Sequence, residues 1–488
     1  MKFIHENFLL NSPAARRFYH EFAAAEPIFD FHCHLSPRDI AENRQFNNLS
    51  EIWLDGDHYK WRVMRANGVP ERFCSGDADP FAKFEAWSAT VPQTLRNPLY
   101  HWTHLELQRY FGIDELLNPA SARRIWNQTK EILASPECRA QGILTRFRVA
   151  ALCTTDDPTD DLRHHRALLE QGLVTRVFPA FRPDRALAIH NTEAWNAWVD
   201  RLQAASGIDI ASLSDFLEAL RQRHEVFHAM GCRLSDHGLN QCPTIFCSEN
   251  AAAQVFAKAR ARRPASLEEQ AGFFGFMMLF FAGLDAAKGW AKQLHLGALR
   301  NANTSEFKRL GPDAGFDSIG DVPQAAALAG YLDRLLQENA LPKMILYNAN
   351  PSDNYVFASM IGNFQDGRLP GKIQFGPAWW FLDQKDGMQW QLDALSNLGL
   401  LARFVGMVTD SRSFLSFPRH EYFRRLLCQL IGREVESGEL PADEALLGQM
   451  IRNICFANAR DYLACPGVAV AQESSSKTSL AETGPIAV

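Results

Sequence analysis

Short runs of apolar and β-branched residues recur along the chain, and each ends in polar residues. Eight of these runs are spaced so that amphipathic segments lie between most of them. The runs are PIFDFH (27–32), FRVAALCTT (147–155), LVTRVFPAF (173–181), CRLSDHG (232–238), KQLHLGA (292–298), KMILYN (343–348), KIQFGPAW (372–379) and RFVGMVTDS (403–411). Short apolar runs bounded by turn residues predict buried strands.

The segments between the runs have the apolar spacing of helices. Clear examples are TEAWNAWVDRLQAAS (192–206), VPQAAALAGYLDRLLQENA (322–340) and GMQWQLDALSNLGLLA (387–402). Alternating strands and helices indicate parallel βαβ units. Eight such units predict an α/β fold, a closed (β/α)8 barrel of TIM type, whose functional site lies at the carboxyl ends of the strands.

The first connection departs from this pattern, because residues 35–146 separate the first two strands and far exceed an ordinary βα loop. Runs such as WTHLELQRYFG (102–112) and SARRIWNQTKEILA (121–134) make this insertion helical. It begins at the face expected to carry the site, so we expect a cap over it. The predicted divisions are an N-terminal segment with strand one (1–34), the cap (35–146), the remaining barrel (147–463) and a mobile tail (464–488).

Composition narrows the class of protein. Hydrophobic residues make up 47% and charged residues 22% of the chain, as in soluble globular proteins. A net charge of −6 argues against a general nucleic-acid binder. The 10 cysteines include no C-x-x-C pair, and the N-terminus lacks the apolar core of a signal peptide. We therefore expect reduced thiols and a cytoplasmic location.

The most apolar stretch is AGFFGFMMLFFAGL (271–284), which Asp285 ends. It is shorter than the roughly 18 consecutive apolar residues of a membrane span. The sequence thus predicts a buried helix there and no membrane partner.

Polar side chains follow the predicted strands where a barrel would bring them together. His32 and His34 lie one residue apart, so in a strand both point to the same face, and they either bind a metal or close the strand as ordinary polar residues. The other candidates at strand ends are Thr154, Thr155, Asp156, Asp157, Arg182, Asp236, His237, His295, Asn348, Asp410 and Arg412. Their convergence predicts a functional site, although each residue alone also has a structural explanation.

A second histidine motif competes with this site. Residues 224–234, HEVFHAMGCRL, contain H-E-x-x-H, which on a helix could bind zinc as in metallopeptidases. The third histidine of the longer pattern is absent, because Leu234 stands in its place. The helix also leads into strand four, which puts His228 near the opposite face of the barrel, and Gly231 is explained as the end of the helix. We do not expect a peptidase.

Several of these motifs together resemble the uronate isomerase (glucuronate isomerase) family of the amidohydrolase superfamily. They are FDFHCHLSP (29–37), DHYKWRVMRANGV (57–69), CTTDDPTDDL (153–162), FRPD (181–184), GCRLSDHGL (231–239) and TDSRSFLSFPRHEYFRR (409–425). The resemblance extends from about residue 27 to residue 463. It implies a (β/α)8 barrel and an aldose–ketose isomerase that interconverts D-glucuronate with D-fructuronate and D-galacturonate with D-tagaturonate through an enediol.

The chain departs from the hydrolytic members of that superfamily in its metal-binding residues. Strand four ends in Ser235, Asp236 and His237 and lacks a bridging lysine or glutamate, and strand six carries Asn348 where hydrolases commonly have histidine. A bridged metal pair is therefore not expected. The resemblance implies one divalent ion, Zn²⁺ or a similar metal, at His32, His34 and Asp410, and the ion need not be essential for turnover.

The resemblance also implies roles for individual residues. Asp410 would transfer the proton, although a tight metal ligand or a salt bridge to Arg412 stays open. Arg182 and Arg412 would bind the substrate carboxylate unless they form structural ion pairs. His58 and Tyr59, from the cap, would stabilise enediolate oxygen or simply pack. The remaining substrate-binding residues would be His295, Trp379 and Trp380, with Phe381 beside them in the pocket wall.

Two other functions stay open at this point. A metal-dependent hydrolase of the same superfamily would cleave an amide or a lactone, and a non-catalytic barrel would bind a sugar acid without turnover. The expected partner in each case is a small molecule. The sequence carries no signal for the number of subunits and is compatible with a homo-oligomer.

Overall fold

The computed structural model describes residues 2–468, and a series of parallel strands runs through this range. The predicted tail falls almost wholly on residues 469–488, which lie outside the described residues. The strands are β1 (Ile28–Asp30), β2 (Val149–Cys153), β3 (Arg176–Phe178), β4 (Leu234–Leu239), β5 (Ala291–Leu296), β6 (Lys343–Asn348) and β7 (Ile373–Phe375).

The strands pair in chain order. β1, β2 and β3 form one parallel group, and β4, β5, β6 and β7 form another. Phe181 joins the two groups, since it bridges Asp156 after β2 and Ser235 in β4. The sheet is thus continuous from β1 to β7, which is the strand order of a TIM-type α/β barrel.

The eighth predicted strand, over 403–411, is present only as an extended segment next to β1. The amide of Asp410 donates to the carbonyl of His32 at 3.1 Å, and the amide of His34 donates to Ser411 at 2.9 Å. Gly406 and Asp410 have φ angles of 82° and 46°, which interrupt β geometry. The expectation of a regular strand here was wrong for this reason, although the segment lies where it was predicted.

Helices connect the strands and begin and end at the expected signals. Thr192–Ser206 coincides with its predicted range, because Asn191 caps its first turn and Gly207 ends it with a φ of 71°. The helices after β2 are Arg163–Gln171, Thr192–Ser206, Leu213–Ala229, Glu249–Arg260, Leu267–Lys288, Thr304–Leu310, Ala325–Gln337, Asn354–Met360, Lys385–Leu398, Pro418–Glu436, Glu444–Arg452 and Asn458–Leu463.

The long apolar helix Leu267–Lys288 packs as part of the core. In the described range it is the one helix whose length and composition would allow it to cross a membrane. Phe273, Met277 and Phe281 on this helix are buried against the barrel. A capping box of Ser266 and Glu269 starts the helix. The predicted buried helix is therefore present.

The connection between β1 and β2 is helical and lies beside the carboxyl ends of the strands. Its helices are Pro37–Ala41, His58–Ala66, Glu71–Cys74, Pro80–Thr90, Pro98–Phe111, Ala122–Leu133 and Ala140–Arg146. Before β1 the chain forms one short α-helix, Pro13–Arg17. A second connection is also long: after β5, the pair Ala298–Leu299 and Ser318–Ile319 frames an excursion that contains the helix Thr304–Leu310.

Candidate active site

Two histidines after β1 meet the carboxylate of Asp410. Nε2 of His32 and Nε2 of His34 each lie 3.1 Å from the same Asp410 oxygen, Oδ1. His32 is buried, whereas His34 is 23% exposed toward solvent. The backbone pairing of the 404–411 segment with the residues after β1 brings these three side chains together.

Asp236, at the middle of β4, is the second acidic centre of the site. Its Oδ1 accepts a hydrogen bond from Nδ1 of His295 at 2.7 Å. Its Oδ2 lies 3.3 Å from a guanidinium nitrogen of Arg182 and 4.0 Å from Nδ1 of His32. Asp236 thus links β1, β3, β4 and β5 through charged and polar contacts in a buried position.

His32, His34, Asp410, Arg182 and His295 border a cavity of about 400 Å³ at the carboxyl ends of the strands, and Asp236 is buried behind them. The cavity contains residues from strand ends, from the cap and from the excursion after β5. Its lining comprises His32, His34, His58, Thr155, Arg182, Gly238, His295, Arg300, Asn301, Pro312, Asp313, Asp317, Trp379, Trp380, Asp410 and Arg412. Of the residues predicted to have catalytic, substrate-binding or metal-binding roles, all but one therefore line one cavity.

Tyr59 is the exception. It lines a neighbouring cavity of about 470 Å³, which shares His58, Asp317 and Trp380 with the first. Its hydroxyl donates to Asp383 at 3.3 Å, and its ring lies 4.8 Å from the ring of His58. Tyr59 therefore contacts the first cavity's wall rather than the cavity itself.

The two candidate carboxylate-binding arginines have different surroundings. Arg182 lies 3.4 Å from Asp184 as well as 3.3 Å from Asp236, so its charge is balanced by two carboxylates. Arg412 donates to Asp313 at 2.9 Å and to Nδ1 of His58 at 3.3 Å. The salt bridge between Arg412 and Asp410 that the sequence left open is not among the contacts of the described residues.

Two tryptophans after β7 form one wall. The indole nitrogen of Trp379 donates to Oδ2 of Asp410 at 3.0 Å. The Arg300 guanidinium lies 4.3 Å from the centre of the Trp380 ring, in cation–π geometry. Phe381 stacks on Trp380 but faces the neighbouring cavity.

Neighbouring groups set the charge states of the two central carboxylates. Burial alone would raise the pKa of Asp410, but hydrogen bonds from His32 and His34 outweigh it and hold that pKa well below its usual range. For Asp236 burial is likewise outweighed, here by Arg182 and His295, and its pKa is also far below normal. Both carboxylates are ionised at neutral pH.

The imidazoles differ in their protonation. Burial lowers the pKa of His295 to about 4 despite the pull of Asp236, so the ring is neutral. Burial lowers the pKa of His34 and of His58. Burial alone would also lower the pKa of His32. The carboxylates of Asp236 and Asp410 outweigh burial there, and the pKa of His32 is raised. Because Arg412 donates to Nδ1 of His58, the proton of the neutral His58 ring is on Nε2.

The site has the donor set of a metal centre. One group of closely spaced ligand atoms comprises His32, His34 and Asp410, and a second comprises His32, Asp236 and His295. Nδ1 of His32, Oδ2 of Asp236 and Nε2 of His295 are buried, and no described residue gives them a hydrogen-bond partner. Imidazole and carboxylate ligands suit a divalent transition metal, so these residues fit one ion.

Other strand-end candidates have structural contacts. Asn348 donates to Asn350 at 2.6 Å and to Asn354 at 2.8 Å. Thr154 and Asp156 hydrogen-bond to each other at 2.7 Å, and Asp157 accepts from the indole of Trp198. His237 bonds to Asp184 at 2.9 Å and to Lys292 at 2.8 Å. Of these strand-end residues, only Thr155 reaches the cavity.

The H-E-x-x-H motif does not form a metal centre among the described residues. It lies on the helix Leu213–Ala229, where Nε2 of His224 is 3.2 Å from Asp285. Nδ1 of His228 accepts a hydrogen bond from the indole of Trp290 at 2.9 Å. Gly231 follows the helix with a φ of 90°, as expected of a residue that ends a helix. The expectation that this motif is structural agrees with these contacts.

Sequence reasoning missed the residues that the excursion contributes, chiefly Arg300, Asp313 and Asp317. The signal available was the length of the connection, since residues 297–324 between strand five and the helix Ala325–Gln337 exceed an ordinary βα loop. The segment is rich in Asn, Gly and charged residues, which is typical of an exposed functional loop.

Comparison with known proteins finds relatives over nearly the whole chain. The family model described as glucuronate isomerase matches residues 1–463. The uronate isomerase of Solibacter usitatus is 62% identical over 463 residues, which are 95% of this chain and 99% of the relative. That of Opitutus terrae is 60% identical over 460 residues, or 94% of this chain and 97% of the relative.

A solved structure gives the same result for the fold. The crystal structure of uronate isomerase from Thermotoga maritima matches with a TM-score of 0.89 at 35% identity, and the match covers 95% of this chain and 100% of that chain. The predicted TIM-type α/β fold and the predicted family resemblance are confirmed.

Proposed function

The chain belongs to the glucuronate isomerase family and is an isomerase, and we propose that it interconverts D-glucuronate with D-fructuronate and D-galacturonate with D-tagaturonate. In this reaction the carbonyl group moves from C1 to C2 through an enediol, while a proton leaves C2 and another is added at C1. The observation that carries the proposal is the ionised Asp410 in a cavity that also contains the guanidinium groups of Arg182 and Arg412.

Asp410 acts as the base that removes the C2 proton and returns a proton to C1. Its Oδ1 faces His32 and His34, whereas its Oδ2 accepts a single hydrogen bond, from Trp379. Oδ2 therefore keeps a lone pair for the proton. One carboxylate oxygen can serve both carbons, since C1 and C2 are adjacent in the substrate.

Arg182 and Arg412 bind the substrate carboxylate, which guanidinium groups can engage through two parallel hydrogen bonds. His295 lines the cavity beside the substrate, and the hydrogen bond from its Nδ1 to Asp236 fixes the orientation of its ring. Trp379 and Trp380 form the wall against which the carbon chain lies. The binding of an anionic sugar follows from this combination of cationic and aromatic groups.

His58 stabilises the oxygen that gains negative charge in the enediolate. Its ring is neutral, and the hydrogen bond from Arg412 to Nδ1 puts the donor proton on Nε2. A fixed donor in a dry site lowers the energy of a developing oxyanion. Tyr59 supports this role as a positioning residue, since it packs against His58 and is tied to Asp383.

His32, His34 and Asp410 would hold a divalent ion, Zn²⁺ or a similar metal. When bound, it supplies Lewis-acid polarisation of the substrate oxygens and fixes their orientation. No water is added in an isomerisation, so the ion need not be essential for turnover. The cap formed by residues 35–146 contributes His58 and limits access of water.

Two further properties belong to this proposal. The enzyme is cytoplasmic, which its free and largely buried cysteines support. It acts on a small molecule without nucleic-acid or membrane partners, in keeping with its net charge of −6. The metal-dependent hydrolase and the non-catalytic barrel are not favoured, because relatives 62% and 60% identical are named isomerases.

The test is turnover in deuterated water. Purified protein is incubated with D-glucuronate and, separately, with D-galacturonate, and proton NMR follows formation of the ketose and entry of deuterium at C1. Asp410→Asn should lower turnover by about 10²–10⁴-fold. The control is Asp366→Asn, which removes a carboxylate that is bound to Lys372 outside the cavity lining. Failure of the wild-type protein to convert either uronate would overturn the proposal, and near-normal turnover of Asp410→Asn would overturn the base assignment.

A further inference from the structure

One buried guanidinium group contacts the peptide that precedes the base. Arg419 is 3% exposed and lies in the first turn of the helix Pro418–Glu436. Its Nη1 donates to the carbonyl of Thr409 at 3.0 Å. Asp410 follows directly in the chain, and its amide donates to the carbonyl of His32 at 3.1 Å. The peptide between Thr409 and Asp410 is therefore held at both ends.

The plane of this peptide determines where the Asp410 carboxylate points. Asp410 has a φ of 46°, in a left-handed region that is disfavoured for a residue with a side chain, so the surrounding contacts must hold it there. From the side of β1, Asp30 accepts a hydrogen bond from the amide of Thr409 at 2.8 Å. The bond from Arg419 is the one that the carbonyl of Thr409 accepts within residues 2–468.

Helix stability does not explain a buried arginine at this place. The first turn of a helix disfavours positive charge, and moving a guanidinium group out of water is costly unless its partners offset the loss. Among the described residues Asp383 forms the one ion pair of Arg419, at 3.4 Å, and Nε of Arg419 has no hydrogen-bond partner. Incompletely compensated burial of this kind is common at functional sites.

The cap packs against the same guanidinium group. The ring centres of Tyr59 and Trp102, from two cap helices, lie 5.4 Å and 4.3 Å from Cζ of Arg419, which is cation–π geometry. The hydroxyl of Tyr59 also donates to Asp383, the ion-pair partner of Arg419. Arg419 thus contacts the cap on one side and the peptide before Asp410 on the other.

We propose that Arg419 is a positioning residue, which sets the direction of the Asp410 carboxylate and couples it to the placement of the cap. The proposal rests on the proposed function, in which Asp410 transfers the proton. Arg419 does not line the cavity, so its effect on turnover is transmitted through Asp410. A misplaced base slows proton transfer, because the reacting atoms must stay within hydrogen-bond reach.

The test is a double-mutant cycle of Arg419→Met and Asp410→Asn, with kcat and KM for D-glucuronate measured by ketose formation. Arg419→Met alone should lower kcat about tenfold to a hundredfold and leave KM within about threefold. In the Asp410→Asn background, Arg419→Met should change kcat by less than about twofold, since the group through which it acts is absent. A loss of folded protein would instead lower kcat by the same factor in both backgrounds.

The matched control is Arg424→Met. Arg424 lies on the same helix, is 5% exposed and donates to the carbonyls of Glu26 and Pro27, each at 2.7 Å, before β1. This variant should lower Tm, as Arg419→Met does, but leave kcat per folded molecule within about twofold. If Arg419→Met does not fold, Arg419→Lys, which keeps the positive charge beside Asp383, takes its place in the cycle and in the crystal structure.

A crystal structure of Arg419→Met gives a readout that does not depend on turnover. The Asp410 carboxylate should move away from the indole nitrogen of Trp379, which lies 3.0 Å from it in the unaltered protein. Either an unchanged contact or equal losses of kcat in the two backgrounds would overturn the positioning role. Failure of the wild-type protein to convert either uronate would overturn the proposed function instead, and the crystal structure alone would then decide the positioning role.

Discussion

The indole nitrogen of Trp379 lies 3.0 Å from Oδ2 of Asp410 and donates a hydrogen bond to it. The other oxygen of Asp410 is occupied by His32 and His34. Three donors from two parts of the barrel, the ends of β1 and β7, therefore fix this carboxylate, and Trp379 contacts the oxygen that we assign to proton transfer. The sequence predicted a substrate-binding role in the pocket wall for Trp379, and the contact with Asp410 adds a direct influence on the base.

We expect Trp379→Phe to reduce kcat about tenfold and to leave the KM of glucuronate within about twofold. The substitution keeps an aromatic wall but removes the donor, and a hydrogen bond to a charged group contributes roughly 1.5 kcal/mol or more. Steady-state kinetics measure the split between kcat and KM. Trp390→Phe, at an indole that is 50% exposed, is the control. A rise in KM at unchanged kcat would instead assign Trp379 to substrate binding alone.

The pH dependence of kcat/KM should reveal His58. Burial lowers the pKa of His58 from 6.5, Asp57 opposes this, and the charge of Arg412 adds to the lowering. The ring of His58 therefore takes up a proton on Nδ1 only below pH 6.5. It then loses the hydrogen bond from Arg412 that orients its Nε2–H donor, which gives an acid limb there. His58→Gln, which keeps a donor but does not titrate, should abolish it, and an unchanged limb in His58→Gln would contradict the assignment.

Metal content distinguishes the two histidine motifs. The unchelated wild-type protein should contain about one divalent ion per chain, and His34→Asn should lose it, because three protein ligands are the usual minimum for such a site. His228→Asn, in the H-E-x-x-H segment, is the matched control and should keep the ion. Mass spectrometry of the metal and the shift in Tm on chelation are both independent of turnover. Loss of the ion from His228→Asn, with retention in His34→Asn, would reverse the assignment.

The sequence predicted the strand ends well because a parallel sheet imposes a simple rule. Consecutive strands that run the same way end at one edge, so residues as distant as His32, His295 and Asp410 were expected together. Local signals also placed the helices, as at Thr192–Ser206 with its cap at Asn191. These features depend on the chain near each residue and on strand order.

Contacts between side chains on different elements could not be predicted from the neighbouring sequence or from the strand order. The path of the excursion after β5 determines that Asp313 meets Arg412, and neither residue's neighbours in sequence encode that path. In the sequence Lys292 is one polar position within the predicted strand five. In the structure its side chain is fully buried, and Asp285 on a helix balances its charge. The positive φ angles of Gly406 and Asp410 likewise make the segment over 403–411 irregular, and the apolar run in the sequence gives no sign of them.

The buried pair of Lys292 and Asp285 gives a prediction about stability rather than catalysis. Nζ of Lys292 lies 2.9 Å from Asp285, which also accepts a hydrogen bond from Ser235 at 2.7 Å. Burial would raise the pKa of Asp285, but Lys292 and His224 outweigh it and lower that pKa to about 2. Because the pKa is lower in the folded state, this contribution to stability is complete above the unfolded pKa of about 4 and is lost as the pH falls toward 2.

We therefore expect Asp285→Asn to destabilise the protein by about 3–5 kcal/mol at pH 7, since it leaves a buried ammonium without its counter-charge. The double variant Asp285→Leu with Lys292→Met should recover most of that loss, because removing both charges also removes their desolvation cost. Urea unfolding followed by circular dichroism measures both effects. The control is Lys372→Met, whose partner Asp366 is near the surface, and it should cost less than about 1 kcal/mol. If the double variant were as unstable as Asp285→Asn, the loss would arise from packing and not from the unpaired charge.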